Sequence, residues 1–247
     1  MKKILLIPAA IALLILPSCR FIILSDELRE QLKANGSVNV TVGDGNGERI
    51  EASGNTITRN DVTGEFTTLR CNLPVDMTYT PGDCFLSITG PDNVLSHITV
   101  TNEDGLLVIK SDGTTFRNLK NLKVKLSSQV LEKAEFNGAV DFSAPQGITG
   151  PDIDLIVNGA GDIDIDGLKA AKASLIVNGA GDATVRGIDC ETLVVSLNGA
   201  GDATVSGKAD SAELTISGAG DINAEGLRAA EFNSKVRGIG KVRKPKN

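Results

Sequence analysis

From about residue 137 to 241, apolar and polar side chains alternate in short runs that recur roughly every twenty residues. Ile163 and Ile165, Ala183 and Val185, Ala203 and Val205, and Ile222 and Ala224 each stand two apart, in the segments DIDID, DATVR, DATVS and DINAE. Ahead of each following recurrence come ASLIV, LVVSL, AELTI and FNSKV, again with apolar residues at alternate positions. A period of two is the period of a strand. Between the runs sits a turn: VNGAGD at 157–162 and 177–182, LNGAGD at 197–202 and ISGAGD at 216–221, with a degenerate FNGAVD upstream and VRGIGK last. The first glycines of these turns, Gly159, Gly179, Gly199, Gly218 and Gly238, are spaced 20, 20, 19 and 20 apart, and Gly138 lies 21 further upstream. Gly167, Gly187, Gly207 and Gly226 form a second column in the same register.

Each unit reads as two short strands and two turns, with no room for a helix. A unit of this size cannot bury its apolar face alone. Stacking each copy on the last, about 4.8 Å apart, gives a parallel β-solenoid. Stacking also aligns equivalent residues, so the expected core files are Ala173, Leu193, Ala212 and Phe232; Leu175, Val195 and Leu214; and Val177, Leu197, Ile216 and Val236. Cys190 shares a file with Ala170 and Ala229 and reads as a small buried residue. The one 19-residue step is expected between Gly207 and Ala212, in a turn, where a deletion costs least.

Three chemistries could need such a turn. A phosphate cradle needs GxGxxG opening a helix, whereas Asp164 stands at the third glycine position and a strand follows. Calcium-binding solenoids repeat every nine residues, and this repeat is twice as long. The structural reading accounts for every residue type. Glycine at both flanks, Gly159 and Gly161, Gly179 and Gly181, Gly199 and Gly201, Gly218 and Gly220, permits positive φ. Alanine fits a tight corner, and Asp or Asn bonds nearby backbone. Asn158, Asn178 and Asn198 are expected to form an amide ladder continued by Ser217. Asp162, Asp182, Asp202 and Asp221 would stack as well, and unit charges about 5 Å apart repel by about 1 kcal/mol in water. They are therefore weak surface calcium candidates, beside the plainer reading of a solvated acidic face. Asp162, Asp164 and Asp166 face outward together, within reach of Arg186 one rung away.

Upstream, FTTLRCNL, VDMTYT, CFLSITG, HITVTNEDG, LLVIKS and LKVKLSS predict further, less regular strands. His97 lies in one of them and reads as a surface or hydrogen-bonded residue rather than a catalytic base. Residues 25–35 place leucines at helical spacing before Gly36, so a short helix is expected there, followed by a polar stretch to about residue 53 that is either a stalk or weak strands.

Lys2 and Lys3 precede an apolar run from Ile4 to Leu16, too short for a stable span. This predicts an export signal over 1–18. The following Leu16-Pro17-Ser18-Cys19 resembles a bacterial lipobox, in which Cys19 becomes the lipidated first residue; an ordinary signal with a chance cysteine is the alternative. Several acyl chains would hold the protein on a membrane without a helix. Loss of the signal takes two lysines, leaving 23 basic against 31 acidic side chains, a net charge of −8. That sign disfavours nucleic acid as a partner. Three further cysteines, Cys71, Cys84 and Cys190, sit in a compartment that permits disulfides. Cys71 and Cys84 could pair across adjacent strands, though spacing alone leaves this open. There is no tryptophan, one tyrosine and seven phenylalanines, so the core must be built of small aliphatics in thin layers.

GNTITRNDVTGEFTTLR, the segment ending NEDGLLVIKS, the LKVKLSS strand and the serial GAGD turns together resemble the putative auto-transporter adhesin family with a head GIN domain, over roughly residues 54–243. The resemblance implies an exported protein of Bacteroidetes type and an all-β, single-stranded right-handed parallel β-helix over 54–247. It supplies no binding motif to transfer, and the turn here is closer to NGAG than to the family's usual SGSG. Three functions follow as expectations. The first is a non-catalytic envelope lipoprotein, anchored to the outer membrane through Cys19, that binds a protein or glycan. The second is a polysaccharide-active β-helix enzyme, disfavoured because uniform short turns build no cleft. The third is a purely structural envelope component. No cofactor motif is present.

Overall fold

The computed structural model describes residues 48–245, together with the backbone of two short strands before them. These two, β1 (Leu13–Leu14) and β2 (Ile22–Ile23), pair antiparallel in a unit of their own. Cys19 and the helix expected over 25–35 lie outside the described residues.

The second unit runs from Asn46 and is a parallel β-solenoid of about six turns. In chain order its elements are β3 (Arg49–Glu51), β4 (Thr56–Asp61), β5 (Thr68–Cys71), β6 (Val75–Pro81), β7 (Phe85–Pro91), helix α1 (Asp92–Leu95), β8 (Ile98–Glu103), β9 (Leu106–Ser111), β10 (Thr115–Arg117) and β11 (Lys123–Ser128). There follow β12 (Lys133–Phe136), β13 (Val140–Ala144), β14 (Ile148–Thr149), β15 (Asp152–Val157), β16 (Ile163–Val177), β17 (Ala183–Leu197), β18 (Ala203–Ile216), β19 (Ile222–Val236) and β20 (Val242–Arg243).

The first turns do not stack in chain order. On one flank of the turn made by β5 and β6 lies the later turn of β9 and β11, with Leu107 beside Leu69 and Val124 beside Met77. On the other flank lie β12 and β13, with Ala134 beside Leu69 and Phe142 beside Met77. The outer end is then closed by antiparallel strands, β8 on β9, β7 on β11 and β4 on β7. A solenoid needs such a cap because its terminal rung otherwise presents unpaired backbone and apolar side chains. Polar clasps hold it shut. The Arg59 guanidinium donates to the Leu95 and Ile98 carbonyls at 2.6 and 3.1 Å. The Asp92 carboxylate accepts from Ser53, from Asn55 at 2.7 Å and from the Asn93 backbone N–H at 2.8 Å, which holds its pKa below the usual carboxylate value.

His97 closes the β8–β9 hairpin from a turn before β8 rather than from a strand face. Its Nδ1 lies 3.0 Å from Asp112 Oδ2 and 3.1 Å from Thr114 Oγ1. Hydrogen bonds from the Thr114 side chain, from His97 and from the Thr114 backbone N–H lower the Asp112 pKa from 3.8 to about 2. A depressed carboxylate stabilises the fold above its unfolded pKa, and that contribution is lost as pH falls from 3.8 towards 2. Thr114→Val is expected to raise the Asp112 pKa and move the loss of hairpin order to higher pH, read by carboxyl NMR titration alongside acid unfolding.

In the regular half, each rung is one strand of 14 or 15 residues between GAGD turns, where the sequence suggested two strands and two turns. The inward residues of β16 are Ile163, Ile165, Leu168, the half-buried Ala170, Ala173, Leu175 and Val177. Their spacing of two lengthens to three after Ile165 and again after Ala170. Each lengthening marks a bend, so a rung has three faces separated by these two bends and the GAGD corner. The bends keep their neighbours paired, and for that reason strand assignment passes through them. The expected files lie in register: Leu175, Val195 and Leu214; Ala173, Leu193, Ala212 and Phe232; Val177, Leu197, Ile216 and Val236; and Ala170, Cys190 and Ala229, which Ala209 joins. Val236, expected in the core, is instead exposed on the last long rung, where little packs over it.

Two expectations about the irregular step are corrected. Pairing shifts between Val185 and Ile188, where Val185 faces Val205 but Ile188 faces Gly207. The missing residue therefore lies at the first bend, between Val205 and Gly207, inside β18 rather than beyond Gly207 in a turn. Gly207 consequently leaves the second glycine column, and Ser206 takes its place opposite Gly226. Glycine is needed at 207 for another reason: a Cβ there would lie 2.3 Å from the Ile188 backbone.

The bulky side chains gather near the cap, where Tyr79, Met77, Phe136 and Phe142 are all fully buried. At the opposite end the file Leu155, Leu175, Val195, Leu214 finishes in the exposed Ser234, and Lys235 and Arg237 flank it. Polar residues thus adapt that rung to water. Cys71, Cys84 and Cys190 are all free thiols, so the pairing considered for Cys71 and Cys84 is not made. Cys71 points into the core from β5, whereas Cys84 sits half-buried at the entry to β7. Burial pushes the Cys71 and Cys190 thiols up to about 11. An alkylating reagent at neutral pH should therefore label native Cys84 well before the other two, a ranking that peptide mapping checks.

Candidate functional site: the GAGD corner

The corner is built by backbone, with side chains filling what the backbone leaves open. Ala180 N–H donates to Gly159 C=O at 2.9 Å, Ala200 N–H to Gly179 C=O at 2.8 Å, and Gly181 N–H to Ala200 C=O at 3.1 Å. Ala139, Ala160, Ala180, Ala200, Ala219 and Ile239 are bridged in one parallel file. Such close rungs leave no space for side chains at the first glycine: a Cβ on Gly179 would lie 1.8 Å from the Gly159 carbonyl oxygen. The second glycine adds a conformational demand, with φ of 137° at Gly161, 147° at Gly181, 144° at Gly201 and 149° at Gly220. Positive φ thus explains only the second glycine of Gly159-Ala-Gly161 and its copies. Gly159, Gly179, Gly199 and Gly218 are required by contact between rungs.

The asparagines form the expected ladder and extend it. Asn178 Nδ2 donates to Asn158 Oδ1, and Asn198 Nδ2 to Asn178 Oδ1, each at 2.9 Å. Two further members precede them: Asn158 donates to Asn137, and Asn137 to Asn72. A signal for the first member is present in the sequence, because CNLPVD at 71–76 repeats the N-x-x-V-D pattern of FNGAVD at 136–141. The two asparagines stand sixty-five residues apart, since β7 to β11 are inserted between them.

The aspartates form a second ladder of a different kind. The backbone N–H of Asp182 donates to Asp162 Oδ1 at 2.9 Å, that of Asp202 to Asp182 at 2.8 Å, and that of Asp221 to Asp202 at 2.7 Å. Asp141 starts the series and the Lys241 N–H ends it. Each carboxylate therefore caps the next rung's amide, a favourable charge-assisted bond that offsets repulsion between neighbours. Lys241 and Arg243 lie 3.7 and 3.8 Å from Asp221 and neutralise the last one. Among the described residues no three His, Cys, Asp or Glu side chains converge as a metal site. Asp162, Asp182, Asp202 and Asp221 are spread along the stack, one per rung.

The other sequence candidates do not assemble a catalytic centre. Arg186 joins Asp164 and Asp166 on the adjacent face, with Nε 2.5 Å from Asp166 Oδ1, and the bond to Asp166 is the main cause of its raised pKa. Asp162 stays outside that cluster. Asp112 and Thr114 both meet the same nitrogen of His97, whereas a nucleophilic triad needs hydroxyl and carboxylate on opposite nitrogens.

Comparison with known proteins agrees with this architecture. The family model described as "Putative auto-transporter adhesin, head GIN domain" matches residues 65–188 and 157–244. No curated protein matches the chain. Among solved structures, a putative adhesin from Bacteroides fragilis aligns with a TM-score of 0.63 at 24% identity, covering 79% of this chain and 99% of its own. A putative lipid binding protein from Parabacteroides distasonis aligns with a TM-score of 0.65 at 20% identity, covering 79% and 100%. A putative adhesin from Parabacteroides merdae gives 0.55 at 17%, covering 80% and 100%. These likenesses concern the fold. With the matched segments spanning most of the solenoid and its serial corners, the chain belongs to the putative auto-transporter adhesin family, head GIN domain.

Proposed function

We propose that this protein is a non-catalytic module of the cell envelope that binds or scaffolds through the outer surface of its solenoid. The observation that supports the reading is the commitment of the corner's polar groups to neighbouring rungs, which leaves uniform short turns and, among the described residues, no assembled acid, base or nucleophile. In the same reading the protein is exported and held on the outer membrane by lipid on Cys19. The neighbour from Parabacteroides distasonis is called lipid-binding. The apolar gap among Leu168, Leu175, Ile188 and Val195 measures about 10 Å³, no more than one water needs, so that gap does not take a lipid chain.

The test is protease shaving of intact cells, combined with a surface-binding assay of a strain lacking the protein. Adhesion requires that the solenoid be digested from outside and that the deletion strain bind less. Full protection from protease, or unchanged binding, overturns adhesion and leaves a periplasmic scaffold. Replacement of Cys19 by Ala should release the protein from the membrane fraction. Turnover of acidic polysaccharides, read as new reducing ends or unsaturated products, would overturn the non-catalytic reading.

A further inference from the structure

The bend between the second and third faces carries a concavity of about 340 Å³, near the lower end of the range for small-molecule sites, roughly 300–1,000 Å³. Its floor is small because Gly150, Ala170 and Cys190 supply little side chain. Its walls are charged: Lys169, Asp189 and Lys208 on the second face, Glu191 and Asp210 at the bend. This is where the repeats differ most. GLKAA at 167–171 and GLRAA at 226–230 share one pattern, while the rungs between read GIDCE and GKADS.

The one-residue deletion creates this arrangement. At the spacing of 20 found on the first face, Asp189 would face Ala209; after the shift it faces Lys208. Lys169, Asp189 and Lys208 therefore alternate in sign along one outward file. At the bend Glu191 stands opposite Asp210, between the paired positions Cys190 with Ala209 and Thr192 with Ser211. Two carboxylates thus lie on adjacent rungs with a third beside them.

Among the described residues these five charges take no side-chain partner. No ion pair within 4 Å and no side-chain hydrogen bond involves any of them, although the same rung spacing lets Arg186 reach Asp166 one face away. Unpaired charges of both signs around a shallow hollow create a local field of both signs. A cation alone would meet the two lysines, and an anion alone the three carboxylates. A ligand carrying both an ammonium and a carboxylate satisfies both sets.

We infer that the concavity over Ala170 and Cys190 is a binding site for a small peptide-like zwitterion, with its ammonium among Asp189, Glu191 and Asp210 and its carboxylate on Lys169 or Lys208. The small residues Gly150, Ala170 and Cys190 leave room for the ligand's own side chains over the floor. The site is independent of anchoring and adhesion, so failure here leaves that reading intact.

The experiment is titration of the purified protein with L-alanyl-L-alanine, followed by amide NMR and calorimetry, beside its N-acetylated and C-amidated forms. The free dipeptide should shift resonances around Ala170, Asp189 and Cys190. Each blocked form should bind about tenfold more weakly, the loss expected when one charged hydrogen-bonding group is removed. Asp189→Asn and Lys169→Gln should weaken the free dipeptide while Lys110→Gln, on the cap, leaves it unchanged. Shifts absent from the concavity, or equal binding of the free and blocked forms, would overturn the assignment. The blocked-ligand arm needs no variant and so does not depend on any variant folding.

Discussion

Gly179→Ala is expected to destabilise the solenoid by about 4 kcal/mol or more, at the upper end of single-residue effects, lowering the melting temperature by about 10 °C. A methyl group here would sit 1.8 Å from the Gly159 carbonyl oxygen and 2.8 Å from its carbonyl carbon. Both atoms belong to backbone that is itself bonded to Ala180. Nothing flexible can move aside, so relief means separating two rungs and losing the alanine, asparagine and aspartate ladders together. Gly187→Ala provides the contrast. Its φ of 62° lies in the left-handed region and the nearest atom to an added Cβ is 3.4 Å away, so the cost should be about 1 kcal/mol. Thermal unfolding of the two variants side by side separates the contact argument from the conformational one. Equal losses would show that the contact at Gly179 is relieved by local movement and does not govern the corner.

Phe136→Ala is the second large effect, expected at about 3–5 kcal/mol. Phe136 is fully buried at the end of β12, and its ring centroid lies 4.9 Å from that of Phe142 on β13. The two flank the corner that joins the capped half to the regular repeats, so removing one leaves a void where the stack changes character. Phe142→Ala should cost a similar amount, and the double variant less than the sum, by about 0.5–1.5 kcal/mol for the lost ring pair. Phe232→Ala supplies the comparison. It occupies the final rung and is only half-buried, so its loss should cost about 1 kcal/mol. Chemical denaturation of the four variants measures all these terms.

The regular half was legible because its rules are short-range. A two-residue alternation, a glycine that recurs and an asparagine two places before the alanine each repeat within twenty residues, and together they predicted files that the structure confirms at Leu175, Val195 and Leu214. The reason for the first glycine was not legible. Gly179 and Gly181 look alike in a sequence, yet one is excluded from bearing a side chain by the rung before it, and the other by its own backbone as well. The aspartates were partly legible: an Asp that bonds nearby backbone on an acidic face was the plainer reading, with calcium a weak second, and only the structure shows that each Oδ1 takes the amide of the next rung.

By itself, then, the amino-acid order determined that a rung exists, how long it is and which side chains face inward, because strand alternation and turn preference act between near neighbours. Tertiary structure decided where the turn of β9 and β11 is inserted out of chain order, how the missing residue shifts Lys208 opposite Asp189, and that unpaired charges gather over Cys190. Those outcomes depend on which rung lies against which. That choice is made by pairing across tens of residues, where each strand settles against whichever edge buries its apolar file and satisfies its backbone.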